Sequence, residues 1–210
     1  MYIREKDFRN VAELWGELSE PSAATPDELR QHTLTRLAHL LHASNGFWLG
    51  SLRATTLPVN NDVLSGWRPR AFHSLYDTAL RQELGAEHHR RTLSNIIDPH
   101  TAAVIAGAGT TRALLRGELI SDSDWKKSWL YNEILRPQAI EDRLIGVRPV
   151  TWYTESAIAL EREPDQKPFG ERERDILKLF LSGCARFHRD QLVANDLLTA
   201  ANRQAFILHR

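Results

Sequence analysis

Very little in this chain can form a cross-link. Cys184 is the single cysteine, so no intrachain disulfide and no thiolate zinc cluster can form, which fits a reducing compartment. Net charge is missing too, with 27 Lys and Arg against 27 Asp and Glu. A free-standing DNA-binding domain generally carries a basic excess to neutralise phosphates, so this balance speaks against direct contact with nucleic acid. No apolar run approaches the roughly 18 residues that a membrane-spanning helix needs, and the MYIREKDFRN terminus has no apolar signal core. The expected location is the cytoplasm, with no membrane partner. Catalytic signatures are also absent: there is no Gly-x-Ser-x-Gly elbow and no His-Glu-x-x-His, and the GAGTT run at Gly107 to Thr111 lacks the Lys of a phosphate-binding loop.

What is present describes an ordinary globular chain. Hydrophobic residues make up 42% and charged residues 26% of 210, enough for one sizeable core and a single domain over residues 1–210. Phe8, Val11, Leu14, Trp15 and Leu18 recur at helical spacing over Asp7 to Ser19, with Pro21 as the stop. A second helix starts at Pro26 behind Thr25, with Glu28 completing a capping box, and runs to about Ala43. At Asn45-Gly46 the period changes: Phe47 to Ala54 and Trp67 to Leu75 read as strands of an antiparallel hairpin joined by residues 57–66. Residues 77–92 read as a helix with Leu80 and Leu84 on one stripe and EHHRR as a solvated end. The Ala and Gly residues of Thr101 to Ile120 suit either a close-packed helix or a loop and strand, with a helix assigned at the start, and Ser123 to Pro137 forms another helix with Trp125, Trp129, Leu130 and Ile134 in step. Asp142 to Val150 and Thr151 to Glu163 read as consecutive strands, and Glu171 to about Leu198 as one long helix or a helix pair.

Strands paired in hairpins, rather than alternating singly with helices, predict an α+β fold with an antiparallel sheet. Helices from both chain ends would cover one face, and the middle segment would enclose a pocket over the other.

Three stretches in order, WKKSWLYNEILRPQAIEDRLIGV (Trp125 to Val147), TWYTESAIALERE (Thr151 to Glu163) and KPFGERERDILKLFLSGCARFH (Lys167 to His188), resemble the regulatory domain of LuxR-type transcriptional regulators. The resemblance covers roughly the last third of the chain. It implies a GAF-like fold, small-molecule sensing, homodimerisation, and contact with DNA only through a separate helix-turn-helix domain that is not part of residues 1–210. It implies no enzyme activity, metal or cofactor. FGERERDILKLFLSG (Phe169 to Gly183) also resembles the opening of a LuxR-type helix-turn-helix. The strand and Lys167-Pro168 before it, and the absence of a turn after Gly183, place it instead as the closing helix of the sensing domain.

On that resemblance, Trp67, Trp129 and Tyr131 are candidates to line a ligand pocket, with Arg70 or Arg148 as an orienting charge. Phe187, Leu192 and Leu197 are candidates for an exposed dimerisation stripe on the last helix. The tryptophan, tyrosine and aspartate pattern of acyl-homoserine-lactone receptors is not recognisable. Cys184 reads as a packed thiol, and His32, His39 and His42 as half-buried or surface groups without the converging carboxylate or thiolate of a zinc site. Two rival readings stay open: a structural dimerisation module with a filled cavity, and an enzyme of unrecognised type.

Overall fold

The computed structural model describes residues 3–19, 24–53 and 62–199. Pro21, Ala54 and residues 57–61 of the expected hairpin loop lie outside them. Two helices, α1 (Glu5–Ser19) and α2 (Pro26–Leu40), open the fold. Thr25 and Glu28 form the expected capping box: the Thr25 amide donates to Glu28 Oε2 at 2.7 Å and the Glu28 amide to Thr25 Oγ1 at 3.3 Å. Then come β1 (Asn45–Arg53), β2 (Trp67–Ser74), α3 (Ala79–Leu93), α4 (Pro99–Ala106), β3 (Arg112–Leu115), and the short α5 (Arg116–Leu119) and α6 (Asp122–Lys127). A π-helical turn at Leu130–Leu135 and a 3-10 turn at Arg136–Gln138 lead into β4 (Asp142–Thr151) and β5 (Thr154–Arg162), and α7 (Glu171–Gly183) and α8 (Ala185–Ala194) close the chain. Among the described residues no helix is long and apolar enough to cross a membrane.

The five strands pair antiparallel in the order β2-β1-β5-β4-β3. Strand β5 lies at the centre and is buried along its whole length. Its side chains alternate between two layers, as the two-residue period of a strand requires. Ile158 and Leu160, with Trp48 of β1 and Leu144 of β4, face α1, α2, α7 and α8 and build the main core with Val11, Leu14, Leu34, Leu37, Ile176, Leu177, Phe180 and Leu181. Ala157 and Ala159, with Phe47, Ile145 and Val147, face the other way. This is the expected α+β arrangement of an antiparallel sheet with the terminal helices gathered on one face.

Thr101 to Ile120 begins as a helix, as expected, and then holds the edge strand β3, whose four residues are too few to show an alternating pattern. Three expectations change. Ser123 to Pro137, expected as one helix, breaks at Ser128 into α6 and the π-helical and 3-10 turns. The chain also breaks between α7 and α8 at Cys184 (φ −107°, ψ 40°). There the last carbonyls of α7 are taken by side chains: Phe180 O accepts from Trp15 Nε1 at 3.0 Å, and Leu181 O accepts from Arg148. The turn lays α8 back along the sheet, so Phe187, Leu192 and Leu197 are buried in the main core and form no exposed stripe. Gly50 makes this approach possible, since a Cβ there would collide with Leu197 and lie 2.8 Å from the Trp48 ring.

The charged start of α7 also differs from a purely solvated run. Arg172 reaches across to Asp7 of α1 with two hydrogen bonds of 2.6 and 3.0 Å, and Asp7 is buried. Ile176, Leu177, Phe180 and Leu181 point inward as expected.

Gly146 is the point of closest approach between β4 and α7, for a Cβ there would stand 2.9 Å from Leu177 and Leu181. Gly146→Val is therefore expected to lower unfolding stability by about 1–3 kcal/mol in urea melts, the usual penalty of overpacking. Gly16, exposed in α1 with nothing near its absent Cβ, should instead gain about 0.5–1 kcal/mol on substitution by Ala.

Candidate functional site

The second face of the sheet carries charge as well as small apolar side chains. Glu155 and Glu161 stand on β5 either side of Ala157 and Ala159, and both are buried. Each carboxylate is matched by arginines from other segments. Arg112 of β3 grips Glu155 with bonds of 2.9 and 3.0 Å, and the Gly109 amide adds a third at 2.7 Å. Gly109 can turn there because its φ of +91° is open to glycine. At the other end, Glu161 receives Arg143 at 2.6 and 3.1 Å and Arg81 at 2.8 Å.

Helix α3, α4 and the turn at 130–135 cover this face. The inward stripe of α3 is Arg81, Leu84, His88 and Arg91, a polar row at helical spacing. Leu80, expected beside Leu84 in the core, is half exposed. His88, expected on a solvated end, points inward instead: its Nε2 is buried 3.6 Å from Asp98 Oδ2. Asp98 caps α4 through Oδ1, which accepts from the Thr101 amide at 2.8 Å. His100 lies on the first turn of α4 with its ring 5.3 Å from that of Trp125, and His88 lies 5.8 Å from Trp129.

These three residues share an unusual feature. His88 Nε2, Asp98 Oδ2 and His100 Nε2 are all buried and have no hydrogen-bond partner among the described residues. An unmet buried donor or acceptor costs on the order of 1–3 kcal/mol, so it is rarely left so without cause. Burial pushes the His100 imidazole down to about 3, with the nearby Arg143 guanidinium adding to the effect. Burial alone would raise Asp98, but attraction to His88 and to the Thr101 side chain and amide outweighs it and holds the carboxyl below its ordinary value. The cluster is thus a carboxylate flanked by a neutral imidazole and by His88, beside two indole rings. It can accept a hydrogen bond at Asp98 and exchange further bonds through the ring nitrogens. Beside it, an open depression of about 520 Å³ runs from Pro99 past Leu119, Ile120 and Ser121 to Asp124, Lys127 and Ser128.

The five residues expected to line a pocket do not converge. Trp129 is part of the cover, with Arg91 stacked 4.6 Å from its ring. Tyr131 is buried in the same apolar cluster, but its hydroxyl is already engaged, donating to Glu141 at 2.7 Å and accepting from Lys126 at 2.9 Å. Trp67 is buried where β2 begins, at the far end of the sheet, and Arg70 is exposed on the same strand. Arg148 lies on the terminal-helix side, bonded to the α7 carbonyls. Cys184 is a packed thiol as expected, and burial pushes it up to about 12. His88 was missed because EHHRR reads as a surface run, and Asp98 and His100 lie between the elements that the sequence marks. The one legible sign was Asp98-Pro99, an N-cap followed by proline at the first helical position.

No family model matches the sequence, and no curated protein matches it. Solved structures do match. The LBD domain of VqsR from Pseudomonas aeruginosa is 10% identical with a TM-score of 0.55, over 90% of this chain and 98% of that one. SdiA in complex with octanoyl-rac-glycerol is 15% identical with a TM-score of 0.59, over 95% of this chain and 69% of that one. CepR2 from Burkholderia cenocepacia, an N-acylhomoserine-lactone-dependent LuxR family transcription factor, is 14% identical with a TM-score of 0.53, over 91% and 98%.

His100 and His188 are both buried and both pushed by burial to about 3, whereas an unfolded histidine titrates near 6.5. The folded state therefore stays neutral while the unfolded chain takes up protons below pH 6.5. Stability is expected to fall by about 1.4 kcal/mol per pH unit for each histidine between pH 6.5 and 4.5. Urea melts across that range should show the slope, and His188→Gln should reduce it by about half.

At identities of 10 to 15% the likeness is one of architecture, and this chain has the α+β fold of the VqsR, SdiA and CepR2 structures.

Proposed function

We propose that this chain is a ligand-sensing regulatory domain of the LuxR type, which takes a small amphiphilic molecule between the second face of the sheet and its cover. The observation that carries this reading is the buried trio His88, Asp98 and His100 beside Trp125 and Trp129, in which His88 Nε2 and Asp98 Oδ2 stand 3.6 Å apart and neither they nor His100 Nε2 make a hydrogen bond among the described residues. A ligand head group bonded to Asp98 and the imidazoles would satisfy them, and an apolar tail would lie along Phe47, Ala157 and Ala159. The fold shared with SdiA and CepR2 supports the choice of an amphiphile. On this reading the domain works as a homodimer in the cytoplasm, and DNA is contacted only by a separate domain. Binding would bias the packing of α7 and α8, whose joint is held by Trp15 and Arg148. A dimer surface would use residues other than Phe187, Leu192 and Leu197.

The reading is non-catalytic. The Ser156–His188 pair, with Oγ and Nδ1 2.6 Å apart, is wholly buried under α8, and Trp48 Nε1 donates to the same Oγ at 2.7 Å. The second reading, a structural module with a filled interior, is favoured by the close ring packing of the cover, where Trp125 and Tyr131 lie 5.5 Å apart.

Thermal melts with octanoyl glycerol and with N-octanoyl homoserine lactone separate the two. Sensing predicts a saturable rise of about 5–10 °C at a hundredfold excess over Kd. It also predicts at least tenfold weaker binding in Asp98→Asn, which keeps the α4 cap but replaces the free oxygen with an amide. A Tm unmoved by either compound or by a wider amphiphile panel would favour the filled module.

A further inference from the structure

A separate cavity of about 170 Å³ opens at the end of the sheet where β1 starts and β5 stops, and Asn45, Thr78, Arg81, Gln138, Glu161 and Arg162 are among its walls. Asn45 is 3% exposed. Its Oδ1 accepts from the Tyr76 amide at 3.1 Å, which fixes the orientation of the amide plane. Its Nδ2 is buried without a partner among the described residues. A donor is therefore held rigidly against the cavity with nothing to receive it.

The neighbouring groups are also donors. Arg81 uses Nη1 on Glu161 at 2.8 Å, and its Nε and Nη2 make no hydrogen bond among the described residues. Thr78 Oγ1 already accepts from the Arg81 amide at 3.2 Å, so its hydroxyl hydrogen is free to donate. Of the acceptors nearby, Glu161 takes three hydrogen bonds from Arg81 and Arg143, while Gln138 donates its Nε2 to Ile134 O at 2.6 Å. Arg162 is engaged with Leu41 O and Lys167 O, each at 2.6 Å. Among the charged residues that line the cavity, Arg81 and Arg162 match Glu161 and Glu163, so the wall carries no net charge and what it offers an anion are the donors of Asn45, Arg81 and Thr78.

We propose that this cavity is a binding site for a small carboxylate, one oxygen accepting from Asn45 Nδ2 and the other from the free edge of Arg81, with the Thr78 hydroxyl as third donor. A planar carboxylate matches the fork of an arginine, which a point anion such as chloride does not. The volume is well under the roughly 300–1,000 Å³ of sites for drug-sized ligands, so the ligand is a short-chain acid. This site does not depend on the sensing reading, because none of the three donors belongs to the His88, Asp98 and His100 cluster.

The probe is sodium propionate titrated into the full 210-residue chain at constant ionic strength, with sodium chloride as the control. The readout is nitrogen-proton NMR of the Asn45 side-chain amide and the Tyr76 backbone amide. The expected result is a saturable shift of both with propionate and none with chloride. Binding should weaken at least tenfold in Arg81→Gln, which leaves Glu161 its Arg143 partner, and in Asn45→Asp, which keeps the acceptor for Tyr76. His100→Asn should leave the propionate response unchanged, which separates this site from the sensing reading. A non-saturating shift, an equal shift with chloride, or a response that survives in Arg81→Gln would overturn the proposal. If Asn45→Asp fails to fold, Arg81→Gln decides alone.

Discussion

Two carboxylates on the central strand set the conditions that the second half of the fold must meet. Glu155 and Glu161 are on a strand buried on both sides, and a bare carboxylate there would cost several kcal/mol. Each is therefore tied to guanidinium groups, and those groups come from segments far apart in sequence. Arg112 brings the edge strand β3 and the glycine turn before it to one end of the sheet. Arg81 brings the first turn of α3 to the other end, and Arg143 joins it from the adjacent β4. The cover over the second face is thus held at both ends by ion pairs, while the stretch between them carries only Ala157 and Ala159. These small side chains pack with Phe47, Ile145 and Val147 and with the partly buried Val104 of α4, and the polar stripe of α3 lies over the same face.

The contrast between the two faces follows from the same chemistry. The terminal-helix face is filled by leucines, isoleucines and Phe180, with Trp48, Ser156 and His188 forming a short buried hydrogen-bonded chain. On that side only His188 Nε2 is left without a partner among the described residues. The other side has Asn45 Nδ2, Ser74 Oγ, His88 Nε2, Asp98 Oδ2 and His100 Nε2. Apolar packing supplies stability on the first face, whereas the second face keeps polar groups that packing alone does not satisfy. Such a division, with stability concentrated on one side and unmet polarity on the other, suits a domain that holds its shape while accepting something into its second layer.

The fold was largely legible in the sequence because its elements are bounded by strong local signals. Thr25-Pro26 with Glu28, Asn45-Gly46, and the hairpin-forming strands at 142–163 each state their structure within a few residues. The expectations that failed depend on distant neighbours. Arg148 reads as a free charge on a strand, and only the approach of α7 makes it a cap for that helix. Phe187, Leu192 and Leu197 read as a stripe awaiting a partner, and only the bend at Cys184 and the bare Cα of Gly50 give them one within the same chain.

The candidate site was the least legible part for a related reason. Its residues are of the types that usually face water, and nothing local distinguishes His88 from His89 beside it. What distinguishes them is the direction of α3: with Arg81 tied to Glu161, positions 84, 88 and 91 must turn inward with it. The ion pair at one end of the helix therefore determines which histidine, seven residues on, meets Asp98. A buried carboxylate on β5 thus selects, through a single helix, the polar group presented to the second layer.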